Sequence, residues 1–281
     1  MRAPSAPARF VEDNAAFGRG LARAFAGATI FGLPLFMTME MWSLGEYVPS
    51  WKVALLLVLF FPLLVALSWH AGFERTFRWR DDVVDALVAY AVGFTTSALA
   101  LWLIGALNAE TAWRGALGQV SLQAVPASIG ALLAQSQLGE RQAGQPQRGG
   151  VARYGSDLFI MAIGALFLSF NLAPTEEMLL IAMRIGPARA MLLVAVSLAA
   201  MHAFVYGAEF RSRPHPGAPA SATLLFLRFT VVGYATCLVL SAWMLWTFGR
   251  LEGLPLAAAV QVTVVLGFPA AVGAASARLI L

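Results

Sequence analysis

Long apolar segments separated by short polar connections run through the whole chain. An α-helix needs about 20 apolar residues to cross the hydrocarbon core of a bilayer. Segments of that kind lie at about 21–43, 51–71, 83–107, 115–135, 156–175, 187–208, 222–248 and 254–280. The fourth is the least apolar, because it contains Gln119, Ser121, Gln123 and Ser128. The pattern predicts an all-α, polytopic membrane protein with eight transmembrane helices.

The two halves of the chain repeat one another. Thr38-Met39-Glu40-Met41 recurs as Thr175-Glu176-Glu177-Met178, and Gln119-Val120-Ser121 recurs as Gln261-Val262-Thr263. The offset grows from 136 between Ala54 and Ala190 to 143 between Gly130 and Gly273, as small loop insertions would make it. We therefore predict two parallel four-helix repeats related by a pseudo-two-fold axis. The predicted divisions are an N-terminal tail, the first repeat, a polar linker and the second repeat, at 1–20, 21–136, 137–154 and 155–281.

Composition supports the membrane class and limits the partners. The chain is 59% hydrophobic and 12% charged, and its mean hydropathy is +0.74. Its net charge of +4 comes from arginines scattered through the connections, so we predict no nucleic-acid partner. The single cysteine, Cys237, excludes an intrachain disulfide framework. The predicted partner is the lipid bilayer, and the sequence leaves open whether the protein is a monomer or a homo-oligomer.

The distribution of basic residues predicts the orientation. Most arginines fall on the side shared by the two termini, whereas the other side has only Lys52, Arg114, Arg184, Arg189 and Arg250. Basic residues favour the cytoplasmic side. We therefore predict a multi-pass protein of the bacterial inner membrane with both termini in the cytoplasm.

The repeated acidic motif is the strongest candidate for a functional site. Carboxylates near the membrane are costly and are usually kept for a purpose. Two-fold symmetry would bring Glu40 and Glu177 together near the outer side, with Glu176, Thr38 and Thr175 as further oxygen donors. Such oxygens suit hard cations, and paired acids can also bind a proton. Asn171 lies on the same predicted helix, where it could line the path or bond to another helix.

A second interpretation of the acidic motif needs no ion. Pro174 and Thr175 followed by two acids are also typical of a helix start, which predicts a short helix at 175–184. Glu40 would then be an interfacial residue beside Trp42. The sequence does not choose between these interpretations.

The last helix of each half carries further matched residues. Gln119 and Gln261 are polar in both copies and are a second candidate for a pathway. Gly130 and Gly273 lie in runs of small residues that favour close helix packing. No metalloprotease, serine-hydrolase, P-loop or Cys-x-x-Cys motif is present in the sequence, so we predict no enzyme and no cofactor.

Several motifs resemble one protein family. They are Leu33-Pro34-Leu35-Phe36-Met37-Thr38-Met39-Glu40-Met41-Trp42, Gly72-Phe73-Glu74 and Asn171-Leu172-Ala173-Pro174-Thr175-Glu176-Glu177. The chain thereby resembles a family of bacterial integral membrane proteins of unknown function. The resemblance implies a membrane location and no particular chemistry.

These observations favour a transporter or channel for a cation (Ca²⁺, Mg²⁺, Na⁺ or H⁺) that uses the paired glutamates. Two alternatives remain. One is a membrane scaffold or sensor subunit, which would lose function on bulky substitution at Gly130 or Gly273. The other is a lipid or small-molecule transporter with a cavity between the halves.

Overall fold

A computed structural model of the chain describes residues 6–71, 79–138, 150–211, 223 and 226–280. These residues fall into two compact units, Met1–Gln145 (the first unit) and Pro146–Leu281 (the second unit). All regular structure in the described ranges is helical. The predicted linker 137–154 lies largely outside them, and residues 6–20, predicted as a tail, form the beginning of the first helix.

The first unit contains four long helices and one short one. They are α1 (Ala6–Phe36), α2 (Met39–Tyr47), α3 (Ser50–Ala71), α4 (Trp79–Leu103) and α5 (Trp113–Leu138). The second unit has the same order of long and short helices. They are α6 (Gly150–Leu172), α7 (Glu177–Arg184), α8 (Pro187–Arg211), a π-helical turn (Phe226–Val231) that continues into α9 (Val232–Thr247), and α10 (Leu256–Ile280).

Seven of the long helical segments in the described ranges are apolar and long enough to cross a membrane. The segment Gly18–Phe36 is long and apolar enough to cross a membrane only when it is taken together with α2, from which it is bent by 85°. The protein is therefore an all-α, polytopic chain with seven or eight candidate spans. The span predicted at 21–43 is not one continuous helix, because α1 ends at Phe36 and α2 begins at Met39.

Helix α5 forms the centre of the first unit. It packs against α1, α2, α3 and α4, and every residue from Ser121 to Ala134 is buried. About 83% of the residues in the most apolar stretch of α5 are buried, against 39% in that of α10 in the second unit. This difference explains why α5 is the least apolar candidate span. Protein rather than lipid surrounds it, so small and polar residues are tolerated there.

The first and last helices of each unit cross at a pair of glycines. Gly27 of α1 faces Gly130 of α5, and Gly164 of α6 faces Gly273 of α10. A Cβ atom on any of the four would lie within 3.0 Å of the carbonyl oxygen of its partner. Backbones can approach so closely only where side chains are missing, and such contacts drive helix association in membranes.

We predict that Gly164→Ala lowers the stability of the protein, because the added methyl group would overlap the carbonyl of Gly273. Overpacking of this kind costs about 1–3 kcal/mol. Gly155→Ala on the same helix is the matched control, since a Cβ there meets nothing within 4 Å. Thermal unfolding of both variants in the same detergent measures the difference. Equal melting temperatures would show that the crossing is not tight.

Candidate functional site

In the first unit, the predicted acid follows the break between α1 and α2. Thr38 has an extended backbone, with φ −99° and ψ 113°, which ends the helical path. Its hydroxyl donates a 2.6 Å hydrogen bond to the carbonyl oxygen of Pro34, and its N–H donates to that of Leu35. Glu40 lies in the first turn of α2 and is half-buried. The break is thus a bonded structure that fixes where Glu40 begins the next helix.

Trp42 stabilises the same break. Its indole N–H donates a 2.8 Å hydrogen bond to the carbonyl oxygen of Phe36, the last residue of α1. The final carbonyls of a helix have no partner within the helix, and Trp42 supplies one of the missing donors. Its half-buried ring therefore fastens α2 to α1, in addition to any role at the membrane interface.

In the second unit, the acids stand at the connection between α6 and α7. Glu177 opens α7 and Glu176 precedes it, and both side chains are exposed. The Thr175 hydroxyl donates to the carbonyl oxygen of Leu172 at 2.9 Å. The amide of Asn171 donates to the carbonyl oxygen of Phe167, within its own helix, at 2.7 Å. The short helix predicted by the second interpretation is present as α7.

Arg250, from the loop between α9 and α10, lies beside these acids. Its guanidinium donates a hydrogen bond to the carbonyl oxygen of Pro174 and lies 4.0 Å from a carboxylate oxygen of Glu176. The Arg250 side chain is 19% exposed, whereas that of Glu176 is 72% exposed. The sequence does not reveal this contact, because 74 residues separate Arg250 from Glu176. Arg184, the other basic residue near the acids in sequence, is exposed in the last turn of α7.

The pKa of the Glu177 carboxyl lies below its usual value. The main cause is a hydrogen bond from its own backbone N–H, which is free at the start of the helix; the neighbouring Thr175 side chain comes next, and the positive charge of Arg250 has the smallest effect. A carboxyl of this kind is ionised at neutral pH. Glu177 is therefore suited to attract a cation, and unsuited to take up a proton near neutrality.

The two matched glutamines join the last helix of each unit to the short helix. Gln119 of α5 donates a 3.1 Å hydrogen bond from Nε2 to Oε1 of Glu46 on α2. Gln261 of α10 donates from Nε2 to the carbonyl oxygen of Ile185, at the end of α7. Glu46 is exposed and was not among the predicted site residues. Its spacing in sequence gives no signal, since the second unit has Met183 at the corresponding position.

The structure groups most of the predicted site residues by unit. Thr38 and Glu40 lie at the α1–α2 break, and Asn171, Thr175, Glu176 and Glu177 lie at the α6–α7 connection. Gly130 and Gly273 belong to the helix crossings instead. Among the described residues, no three His, Cys, Asp or Glu side chains are placed to hold a metal ion.

Comparison with known proteins identifies the family. The family model described as "Putative integral membrane protein (DUF2391)" matches residues 20–281. The chain belongs to this family of integral membrane proteins, whose function is unknown. No curated protein and no solved structure matches it. Together with the seven or eight apolar helices, the family defines a polytopic integral membrane protein in contact with the lipid bilayer.

We predict that Glu177 stabilises the protein above its pKa and that this contribution is lost in acid. Because its pKa is lowered in the folded state, the folded protein holds the ionised form more favourably than the unfolded chain does. The contribution is complete above the ordinary value of 4.5 and falls as the pH drops below it. The melting temperature of the parent protein should approach that of Glu177→Gln on acidification from pH 6.

An Arg250→Gln background provides the control. Removing the positive charge should reduce the difference between the parent and Glu177→Gln at pH 6 only slightly, because Arg250 is the smallest of the effects that lower this pKa. A difference that does not change with pH would contradict the ionised state assigned to Glu177.

Proposed function

We propose that the protein transports or conducts a cation across the membrane, and that the acids at its short helices attract that cation. The observation that carries the proposal is the placement of Glu40 and Glu177. Each lies in the first turn of a short helix, at the connection between the first two long helices of its unit. Carboxylates at a path entrance raise the local concentration of cations.

The proposal includes the two-fold arrangement of parallel repeats. Two findings support it, each made within a single unit: the order of long and short helices is the same, and so is the Gly–Gly crossing. In this arrangement Glu40 and Glu177 lie at the same side of the membrane. The orientation with cytoplasmic termini in a bacterial inner membrane belongs to the proposal as well, and rests on the arginine distribution.

The other oxygen atoms near the two glutamates are better suited to bind a metal cation than a proton. The hydroxyls of Thr38 and Thr175 donate their protons to backbone carbonyls, and a hydroxyl that does so keeps its oxygen lone pairs for a cation. Asn171 retains its side-chain oxygen in the same way. Glu176 adds a second exposed carboxylate. Since Glu177 is ionised at neutral pH, a metal cation is favoured over H⁺ as the transported species.

The test is a flux assay in liposomes containing the purified protein. Glu40→Gln combined with Glu177→Gln should reduce cation flux by about tenfold or more, because two entrance charges are removed without a change of shape. Glu110→Gln combined with Glu252→Gln is the matched control. These exposed glutamates lie in the α4–α5 and α9–α10 loops, and the control should leave flux unchanged.

Equal flux in the parent and the Glu40/Glu177 variant would reject the assigned residues, and no flux in the parent would reject transport. The scaffold alternative predicts no flux. It also predicts loss of function on substitution at Gly130 or Gly273. That result would not separate a scaffold from a transporter, because those glycines pack within each unit in either case.

A further inference from the structure

A groove runs along the first unit between α3 and α4. Its volume is about 560 Å³, which falls within the range of ligand pockets, about 300–1,000 Å³. The second half of α3 and the first turns of α4 form its walls, which consist of Phe61, Pro62, Val65, Ala66, Trp69, Trp79, Asp82 and Val83. Seven of these eight side chains are apolar, and the eighth is a carboxylate. The groove is therefore suited to an apolar ligand with one polar end.

One end of the groove lies at the membrane boundary. Trp69 is the last residue of one candidate span and Trp79 is the first residue of the next. The two residues are 61% and 66% exposed, which is typical of tryptophans in the interfacial belt. Phe61 lies eight residues before Trp69, about 12 Å deeper along the helix, where it stacks on Tyr90. The groove thus extends from the boundary into the hydrocarbon region, as a lipid chain does.

The carboxylate lies at the boundary end of the groove. Asp82 is only 4% exposed. The hydroxyl of the buried Ser68 lies 3.4 Å from Oδ1 of Asp82 and 3.1 Å from Oδ2 of Asp85. A carboxylate can accept about four hydrogen bonds, so these two can take a further donor whatever other contacts they make. A buried carboxylate at the end of an apolar groove favours a ligand that has a positively charged N–H group there.

The second unit does not repeat these features. With the repeat offset of 136, Ala66 corresponds to His202. The imidazole of His202 bridges α8 and the π-helical turn, because its Nδ1 lies 3.0 Å from the Thr230 hydroxyl and its ring centroid lies 5.2 Å from that of Phe226. The sequence from 211 to 250 also contains no acidic residue. The repeat can therefore fold without the small side chain and the acid that make the groove.

We propose that this groove binds one acyl chain of a phospholipid whose headgroup carries a primary amine, namely phosphatidylethanolamine. The chain lies along the wall at 61–66, the ammonium group donates to Asp82, and Trp69 and Trp79 flank the headgroup. The ammonium group of ethanolamine donates hydrogen bonds, whereas the choline headgroup has no N–H and the glycerol headgroup has no positive charge. The proposal does not rest on cation transport.

The experiment is native mass spectrometry of the purified, delipidated protein in detergent. It is titrated with phosphatidylethanolamine, phosphatidylcholine or phosphatidylglycerol that have identical chains. We expect phosphatidylethanolamine to bind at a concentration about tenfold lower than the other two, equivalent to about 1.4 kcal/mol. It should also raise the melting temperature most, since it binds the folded protein.

Variants locate the lipid. Ala66→Phe fills the groove and should weaken the binding of phosphatidylethanolamine at least about tenfold. Val58→Phe is the matched control, because Val58 is on the same helix, is 66% exposed and does not line the groove. Asp82→Asn keeps the shape and removes the charge, so it should abolish the preference for phosphatidylethanolamine. Asp81→Asn, which removes an exposed charge outside the groove, should preserve it.

Equal binding of phosphatidylethanolamine by the parent and by a folded Ala66→Phe variant would overturn the site. Equal affinity of the parent for the three lipids would overturn it as well, because the carboxylate would then select nothing. If Ala66→Phe does not fold, Asp82→Asn decides, and a preference that survives it contradicts the proposal. Self-association of the lipid-free parent that Ala66→Phe abolishes, without lipid binding, would show that a second copy of the chain occupies the groove.

Discussion

The close approach of two backbones determines the rest of each unit. Lipid chains are as apolar as the helices, so the hydrophobic effect does not hold spans together, and packing has to do so. Gly27 with Gly130 and Gly164 with Gly273 allow the first and last helices to touch along their carbonyls. The last helix then becomes the element on which the others pack. The matched glutamines fasten the short helices to that same element, through Glu46 in one unit and Ile185 in the other.

The architecture also explains how two similar halves came to differ. Because α5 is enclosed by four helices, substitution by polar residues there exposes nothing to lipid. Helix α10 is less enclosed, and its sequence is more apolar. Gln123 in one half and Val265 or Leu266 in the other follow this difference. The second half has an apolar core that includes Met161, Ala165, Cys237 and Ala270.

The sequence predicted the long helices well, because about 20 apolar residues between polar connections leave few alternatives. It did not show the break in the first span, where α1 ends after Pro34 while the apolar run continues to α2. Hydropathy does not register such a break, although the Thr-x-Glu pattern at Thr38 and Glu40 marks it. Among the site residues, the repeat singled out Glu40 and Glu177. The contacts of Arg250 and Glu46 were not predicted, because their partners lie more than 70 residues away in sequence.

If the protein transports a cation, its carboxylates and its neutral oxygens act at different steps. Carboxylates at the first turns of α2 and α7 lie outside the long spans, where water still hydrates them and where they attract cations over a distance. A carboxylate buried at mid-depth would hold a cation too firmly to release it, and neutral oxygens bind it more weakly. Thr38 and Thr175, beside these acids in each unit, supply neutral oxygens of this kind.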